Sequence, residues 1–262
     1  MDAKQLQDVL DFAVESAQLA GAYTLGYFNA APPTEIKSDD SPVTVADRGA
    51  EERLRARIEA AFPGHGILGE EFGEKSGVDP ARWILDPIDG TQSFISGVPL
   101  YSVLVGLEWR GEMVLGVIHL PALHETIYAA RGLGCWCNGR RAWTSEVAEL
   151  SQARFAYTGV RGMRAHGRVE AFERLIAACR IDRGWSDAYA YALLATGRVE
   201  VVADPKMAIW DCAALLPIVR EAGGTFTDWN GKTTHTGGDA IATNGPLFEQ
   251  VMHVVQGGEP PR

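Results

Sequence analysis

Asp86 and Asp89 stand three residues apart in Trp83-Ile84-Leu85-Asp86-Pro87-Ile88-Asp89-Gly90-Thr91. Across a proline-started turn that spacing lets both carboxylates converge on one point. Two carboxylates forced together repel unless a cation lies between them. Hard divalent ions take such oxygen ligands, and Mg²⁺ is the usual ion where phosphate is also bound. Gly90-Thr91 then offers backbone N–H groups at an expected helix start (Gln92-Ser93-Phe94-Ile95), a geometry that holds a phosphate oxygen without Lys or Arg. The stretch therefore predicts metal-assisted chemistry on a phosphate ester, with Asp89, Gly90 and Thr91 around the phosphate.

The elements that must position these residues are legible around them. Trp83-Ile84-Leu85 reads as a buried strand that Pro87 ends, which puts Asp86 at the strand's tip. Residues 4–29 read as an amphipathic helix, with Leu6, Leu10, Ala13, Ala17, Ala20 and Thr24 on one face, stopped by Ala31-Pro32-Pro33. A polar connection from Lys37 to Pro42 and the segment Val43-Thr44-Val45-Ala46-Asp47 lead to a second helix, with Ala50, Leu54, Ile58 and Ala61 facing inward. Pro63-Gly64-His65-Gly66 breaks it, and residues 67–71 form a short strand delivering Glu70 and Glu71. Strands are expected at 102–107, 113–120 and 125–130, with turns at Arg110-Gly111 and Asn138-Gly139, which makes an antiparallel sheet. The second half alternates: strands at 154–157, 181–185, 199–203, 225–228 and 240–243, helices at 168–179, 188–196, 211–222 and 246–255. Two domains are expected, an α+β half over 1–145 and an α/β half over 146–262, with the boundary between 142 and 150.

Composition narrows the class. The chain has 262 residues, 46% of them hydrophobic, and a net charge of −10, which repels nucleic acid and anionic membranes. An acidic protein acting on an anion must neutralise it locally, which bound metal does. No apolar run approaches the roughly 20 residues of a membrane span. The first residues lack the plan of a signal peptide. Cys135, Cys137, Cys179 and Cys212 are scattered and suit reduced thiols, so a cytoplasmic protein is expected. The tail from Gly257 to Arg262 reads as disordered.

Asp86-Pro87-Ile88-Asp89-Gly90-Thr91 resembles the D-P-[IL]-D-G-T signature of the inositol monophosphatase superfamily, Mg²⁺-dependent and Li⁺-sensitive phosphomonoesterases. Trp210-Asp211, followed by an apolar helix ending in Glu221-Ala222-Gly223-Gly224, resembles its second signature. The likeness runs from Pro42 to Asn244. It implies an αβαβα sandwich of α+β and α/β parts. It implies further metal ligands in Glu70, Asp211 and the Ile88 carbonyl, beside Asp86 and Asp89, for two or three Mg²⁺ ions. Glu70 would also position the attacking water, together with Thr91 hydrogen-bonded to Asp47. Direct attack by that water follows, with no covalent phosphoenzyme and with the leaving alkoxide stabilised by the ion on Asp211. A homodimer is expected as well. The bland readings are a helix N-cap for Asp47 and Asp211 and a solvated strand end for Glu70.

Substrate choice must come from outside that shared set. Asp204 lies seven residues before Asp211, where the superfamily's inositol enzymes carry Glu. Gly184-Trp185-Ser186-Asp187-Ala188-Tyr189-Ala190-Tyr191 replaces their small neutral stretch. Residues 89–99, Ala222-Gly223-Gly224 and Ala242-Thr243-Asn244-Gly245 resemble the histidinol-phosphate phosphatase branch, although Gln92 and Tyr101 depart from it. L-Histidinol carries an ammonium and an imidazole, for which Asp187 and Asp204 are apt partners. The competing reading for Asp187 is a helix N-cap, and Tyr189 and Tyr191 are expected to pack in the core. The alternative substrate is inositol 1-phosphate or a related sugar phosphate. A 3′-phosphoadenosine 5′-phosphate phosphatase lacks the basic pocket it needs, and a non-catalytic RNA- or protein-binding module is disfavoured by the acid set.

Overall fold

The computed structural model describes residues 1–38, 41–185 and 187–259. Asp39 and Asp40 of the expected polar connection, Ser186 of the substrate-side stretch, and residues 260–262 of the tail lie outside them. Helix α1 (Ala3–Leu25) starts in a capping box, Asp2 accepting the Gln5 amide at 2.8 Å while Gln5 accepts the Asp2 amide at 3.0 Å. It ends at Leu25, four residues before the expected limit, because Gly26 caps it and the chain closes into turns before the prolines. The pair β1 (Thr34–Ile36) and β2 (Pro42–Thr44) is an antiparallel ribbon that the sequence did not announce. Thr44 then caps α2 (Val45–Ala61), and Asp47 is the third residue of that helix rather than its cap. Ala50, Leu54 and Ile58 are buried as expected. Ala61 is exposed, because Phe62 takes its place against Phe12 and Trp83.

The larger sheet is built from β3 (Gly66–Gly69), β4 (Gly73–Lys75), β5 (Ala81–Asp89), then after α3 (Thr91–Ile95), β6 (Ser102–Trp109), β7 (Glu112–Leu120), β8 (Glu125–Ala130), β9 (Gly134–Cys137) and β10 (Arg140–Arg141). Its order is β10-β9-β8-β7-β6-β5-β3-β4, antiparallel except where β3 runs beside β5. Both expected hairpin turns form, with positive φ at Arg110 and Gly111 and at Asn138 and Gly139. Pro87 does not end β5. Pairing with β3 stops at Leu85 and the register with β6 shifts between Asp86 and Asp89, so the N–H that proline lacks has no ladder bond to make.

The smaller sheet follows: β11 (Arg154–Ala156), α4 (Val160–Ala165), α5 (Val169–Ala178), β12 (Ile181–Arg183), α6 (Asp187–Ala195), β13 (Val201–Asp204), α7 (Ile209–Glu221), β14 (Gly224–Thr227), β15 (Ala240–Asn244) and α8 (Phe248–Val255). Its order is β12-β11-β13-β15-β14, with β11 parallel to both neighbours.

Alternation along the strands makes the layers. On β5, Trp83 and Leu85 pack with Leu10 and Ala17 of α1 and Leu54 of α2, while Ile84 faces Leu194 of α6 and Leu215 of α7. On β13, Val202 joins that same middle core, while Val201 and Ala203 face Phe172 of α5 and Val251 of α8. The result is an αβαβα sandwich with α6 and α7 between the sheets. Each fully buried Leu or Ile in these layers contributes about 2 kcal/mol. The middle layer is tight: a Cβ at Gly116 of β7 would collide with the Ala214 carbonyl of α7. Small residues there seat the N-terminus of α7, and Asp211 with it, over the end of β5. No described helix is long and apolar enough to cross a membrane.

Candidate active site

The tip of β5, the turn after β3 and the first turn of α7 meet at one cavity of about 470 Å³. Glu70, Asp86, Ile88, Asp89, Gly90, Thr91, Asp187 and Asp211 line it. Asp86, Asp89 and Asp211 form its floor, with ligand oxygens all within 4.8 Å of one another. Each is oriented by backbone. Ile88 N–H donates to Asp86 Oδ1 at 3.1 Å, Ala188 N–H to Asp89 Oδ2 at 2.8 Å, and Ala208 N–H to Asp211 Oδ2 at 2.7 Å. Ser102 Oγ adds a bond to Asp89 Oδ2 at 3.0 Å. Asp211 is the third residue of α7, so it braces the helix start without being its cap.

These acids are held where charge is costly. Burial raises Asp86, and Glu70, Asp89 and Asp211 push it further. Burial also raises Asp89, with Asp187 and Asp211 adding to it. Asp211 is pushed up to about 7, first by burial and then by Glu70, against the stabilising Ala208 N–H bond. A cluster with one ligand oxygen from each acid, and no cation among its own side chains, fits a hard divalent ion.

Glu70 stands beside this floor. Its Oε1 accepts from Lys37 Nζ at 2.8 Å, and the same ammonium reaches Glu71 Oε1 at 2.6 Å. Burial pushes Glu71 up to about 7 against the pull of Lys37. Thr91 Oγ1 lies 3.0 Å from the Ile88 carbonyl and 3.4 Å from Asp47 Oδ1. Asp47, raised by burial against two bonds from Thr44, is behind the cavity wall and is joined to it through Thr91. Gly90 has φ 81°, and a Cβ there would come within 2.8 Å of Asp187 Oδ2.

A second cavity of about 220 Å³ opens beside the first, sharing Asp89, Thr158, Asp187 and Asp211 and adding His166, Asp204 and Lys206. Asp187 is at the junction, the first residue of α6, with φ 57°. Asp204 is buried, and both its oxygens have donors: Thr158 N–H to Oδ1 at 3.1 Å and Tyr191 O–H to Oδ2 at 3.0 Å. Tyr191 is fully buried in the middle core, and Tyr189 packs against it from a half-buried position. Lys37, Ser102 and Thr158 were missed in the sequence. Each is a lone residue on another element, and no local pattern marks it.

The inositol monophosphatase family model matches residues 5–257. A curated histidinol-phosphatase of Chlorobaculum parvum is 42% identical over 95% of this chain and 97% of its own. One from Mycobacterium tuberculosis is 38% identical over 86% and 88%. The crystal structure of the extragenic suppressor protein suhB from Bartonella henselae superposes with a TM-score of 0.90 at 30% identity, covering 96% of this chain and 99% of that one.

Proposed function

The chain belongs to the inositol monophosphatase family, and from that premise we propose that it is a Mg²⁺-dependent phosphomonoesterase whose substrate is L-histidinol phosphate. The observation that carries the hydrolysis is three carboxylates converging at the end of β5, Asp86 and Asp89 buried and Asp211 half-buried. Asp86, Asp89, Asp211, Glu70 and the Ile88 carbonyl would hold the ions. Bound there, Mg²⁺ would neutralise the phosphate, lower the pKa of a water and stabilise the leaving oxygen.

The chain's own groups do the rest. The Thr91 O–H donates its hydrogen bond to the Ile88 carbonyl or to Asp47, which leaves the oxygen's lone pairs to accept a hydrogen bond from the attacking water. Glu70 is the second acceptor for that water. Asp89, Gly90 and Thr91 cradle the phosphate at the start of α3. On the alcohol side, Asp187 at the junction of the two cavities supports recognition of an ammonium, and Asp204 adds negative potential behind it. The histidinol-phosphatase relatives support the same choice.

The test is phosphate release from L-histidinol phosphate and from inositol 1-phosphate, side by side with Mg²⁺. A preference of about a hundredfold in kcat/KM, worth ~2.7 kcal/mol, is expected for the former. Preference for the inositol ester would leave the metal chemistry standing and overturn the substrate.

A further inference from the structure

Helix α2 carries a second carboxylate one turn after Asp47. Glu51 is 0% exposed, so its charge has been taken wholly out of water. Its partners say why. Oε2 accepts the Glu71 amide at 2.8 Å, and Oε1 accepts the Phe72 amide at 3.2 Å and Arg55 Nε at 2.7 Å. Arg55 reaches on to the Gly73 carbonyl. Residues 70–72 are the whole turn between β3 and β4, which pair from Gly69 to Gly73. The turn's amides after Glu70 are therefore received by Glu51, and Gly73 beyond them is tied through Arg55. Ahead of them, the Glu70 amide donates to the Leu85 carbonyl at 3.2 Å, next to Asp86. Gly69 completes the fit, since a Cβ there would collide with the Glu51 carboxylate.

We propose that Glu51 is a positioning residue for the metal site: it fixes the turn that presents Glu70 to Asp86, as Asp47 on the same helical face fixes Thr91. The inference rests on Glu70 being a metal ligand, as assigned above. A buried carboxylate facing two backbone N–H groups cannot be replaced by an amide without setting donor against donor. Partners that orient metal ligands typically affect affinity about 10- to 100-fold.

Glu51→Gln should weaken Mg²⁺ binding, measured by calorimetry on the purified protein, about tenfold. It should also accelerate hydrogen exchange at the Glu71 and Phe72 amides. Glu200→Gln is the matched control. Glu200 is also 0% exposed and bonded to an arginine, Arg154, and to the Arg154 amide, but it stands just before β13 of the other sheet. That variant should lower the melting temperature with Mg²⁺ affinity unchanged, which separates positioning from loss of stability. Arg55→Lys gives the same direction with a milder change, should Glu51→Gln fail to fold. Glu70→Gln tests the premise. If it keeps wild-type Mg²⁺ affinity, Glu70 is no ligand and the inference falls with that assignment. If Glu70→Gln binds weakly while Glu51→Gln and Arg55→Lys bind normally, Glu51 is a structural residue only.

Discussion

Asp86, Asp89 and Asp211 crowd together in the wall of the first cavity, whereas Asp204 lies in the second and Asp187 at the junction of the two. The first three are pressed together and all are raised, with burial the leading cause; Asp89 and Asp211 push Asp86 up further, and Asp211 does the same to Asp89. Their backbone donors are too few to relieve that repulsion, so this wall is built for an added cation. Asp204 is buried too, and burial also raises it, but Tyr191 and Thr158 satisfy its two oxygens and oppose that rise, and no neighbouring carboxylate adds to it. A crowded acid set carries chemistry common to many substrates. An acid outside that crowded set can change the partner it accepts without disturbing the shared chemistry.

The sharpest way to break the contrast is Asp86→Asn. Mg²⁺-dependent turnover of p-nitrophenyl phosphate should fall by roughly three orders of magnitude. The metal-free protein should melt higher, because one of the repelling buried charges is gone. Retained activity would place the chemistry elsewhere.

A pH series probes the same wall. Asp211 is near 7 when folded and about 4 when unfolded. Between those values the folded chain holds a proton that the unfolded chain has lost, so stability declines as pH rises through the window. Measured without metal as wild type against Asp211→Asn, the wild type should lose about 2–3 kcal/mol more between pH 5 and pH 8. A gap that does not move with pH would mean that the acids are not strained.

At the junction, Asp187→Ala should cut kcat/KM for L-histidinol phosphate about twentyfold, or ~1.8 kcal/mol, and leave inositol 1-phosphate hydrolysis unaffected. Equal losses on both esters would make Asp187 a brace for Asp89. The smallest effect is expected at Asp204. Asp204→Asn puts an amide against the Thr158 N–H or the Tyr191 O–H and should cost about 1–2 kcal/mol in denaturant unfolding. The ratio of the two esters should stay within about threefold. A collapse of that ratio would make Asp204 a direct substrate contact.

Much of the metal wall was readable because it is local. Asp86, Asp89, Gly90 and Thr91 fall within one short stretch, and the spacing alone brings the two acids together. The strand-ending role given to Pro87 was not borne out, since a proline disrupts a strand only where its missing N–H has a partner to lose, and here β3 has already stopped at Leu85. The early end of α1 and the exposure of Ala61 follow from Gly26 and Phe62, whose effects depend on what packs beside them. Glu51 has only an i,i+4 arginine beside it in the sequence, a pairing common on exposed helix faces, and nothing local marks its burial.

The sequence by itself determined the periodicities of the helices and strands that form the layers, the convergence of Asp86 and Asp89, and the apolar helix that begins at Trp210-Asp211. Each is written in neighbours a few residues apart, where backbone geometry sets the distance. Tertiary structure alone decided that Asp211 closes the acid cluster, that Lys37 bridges Glu70 and Glu71, that Glu51 receives their turn, and that Tyr191 and Thr158 occupy Asp204. Those pairings join residues 13 to 46 positions apart, or in the case of Asp211 and Asp86 more than a hundred. Nothing in local spacing fixes them; the packing of α2, α6 and α7 against the two sheets does.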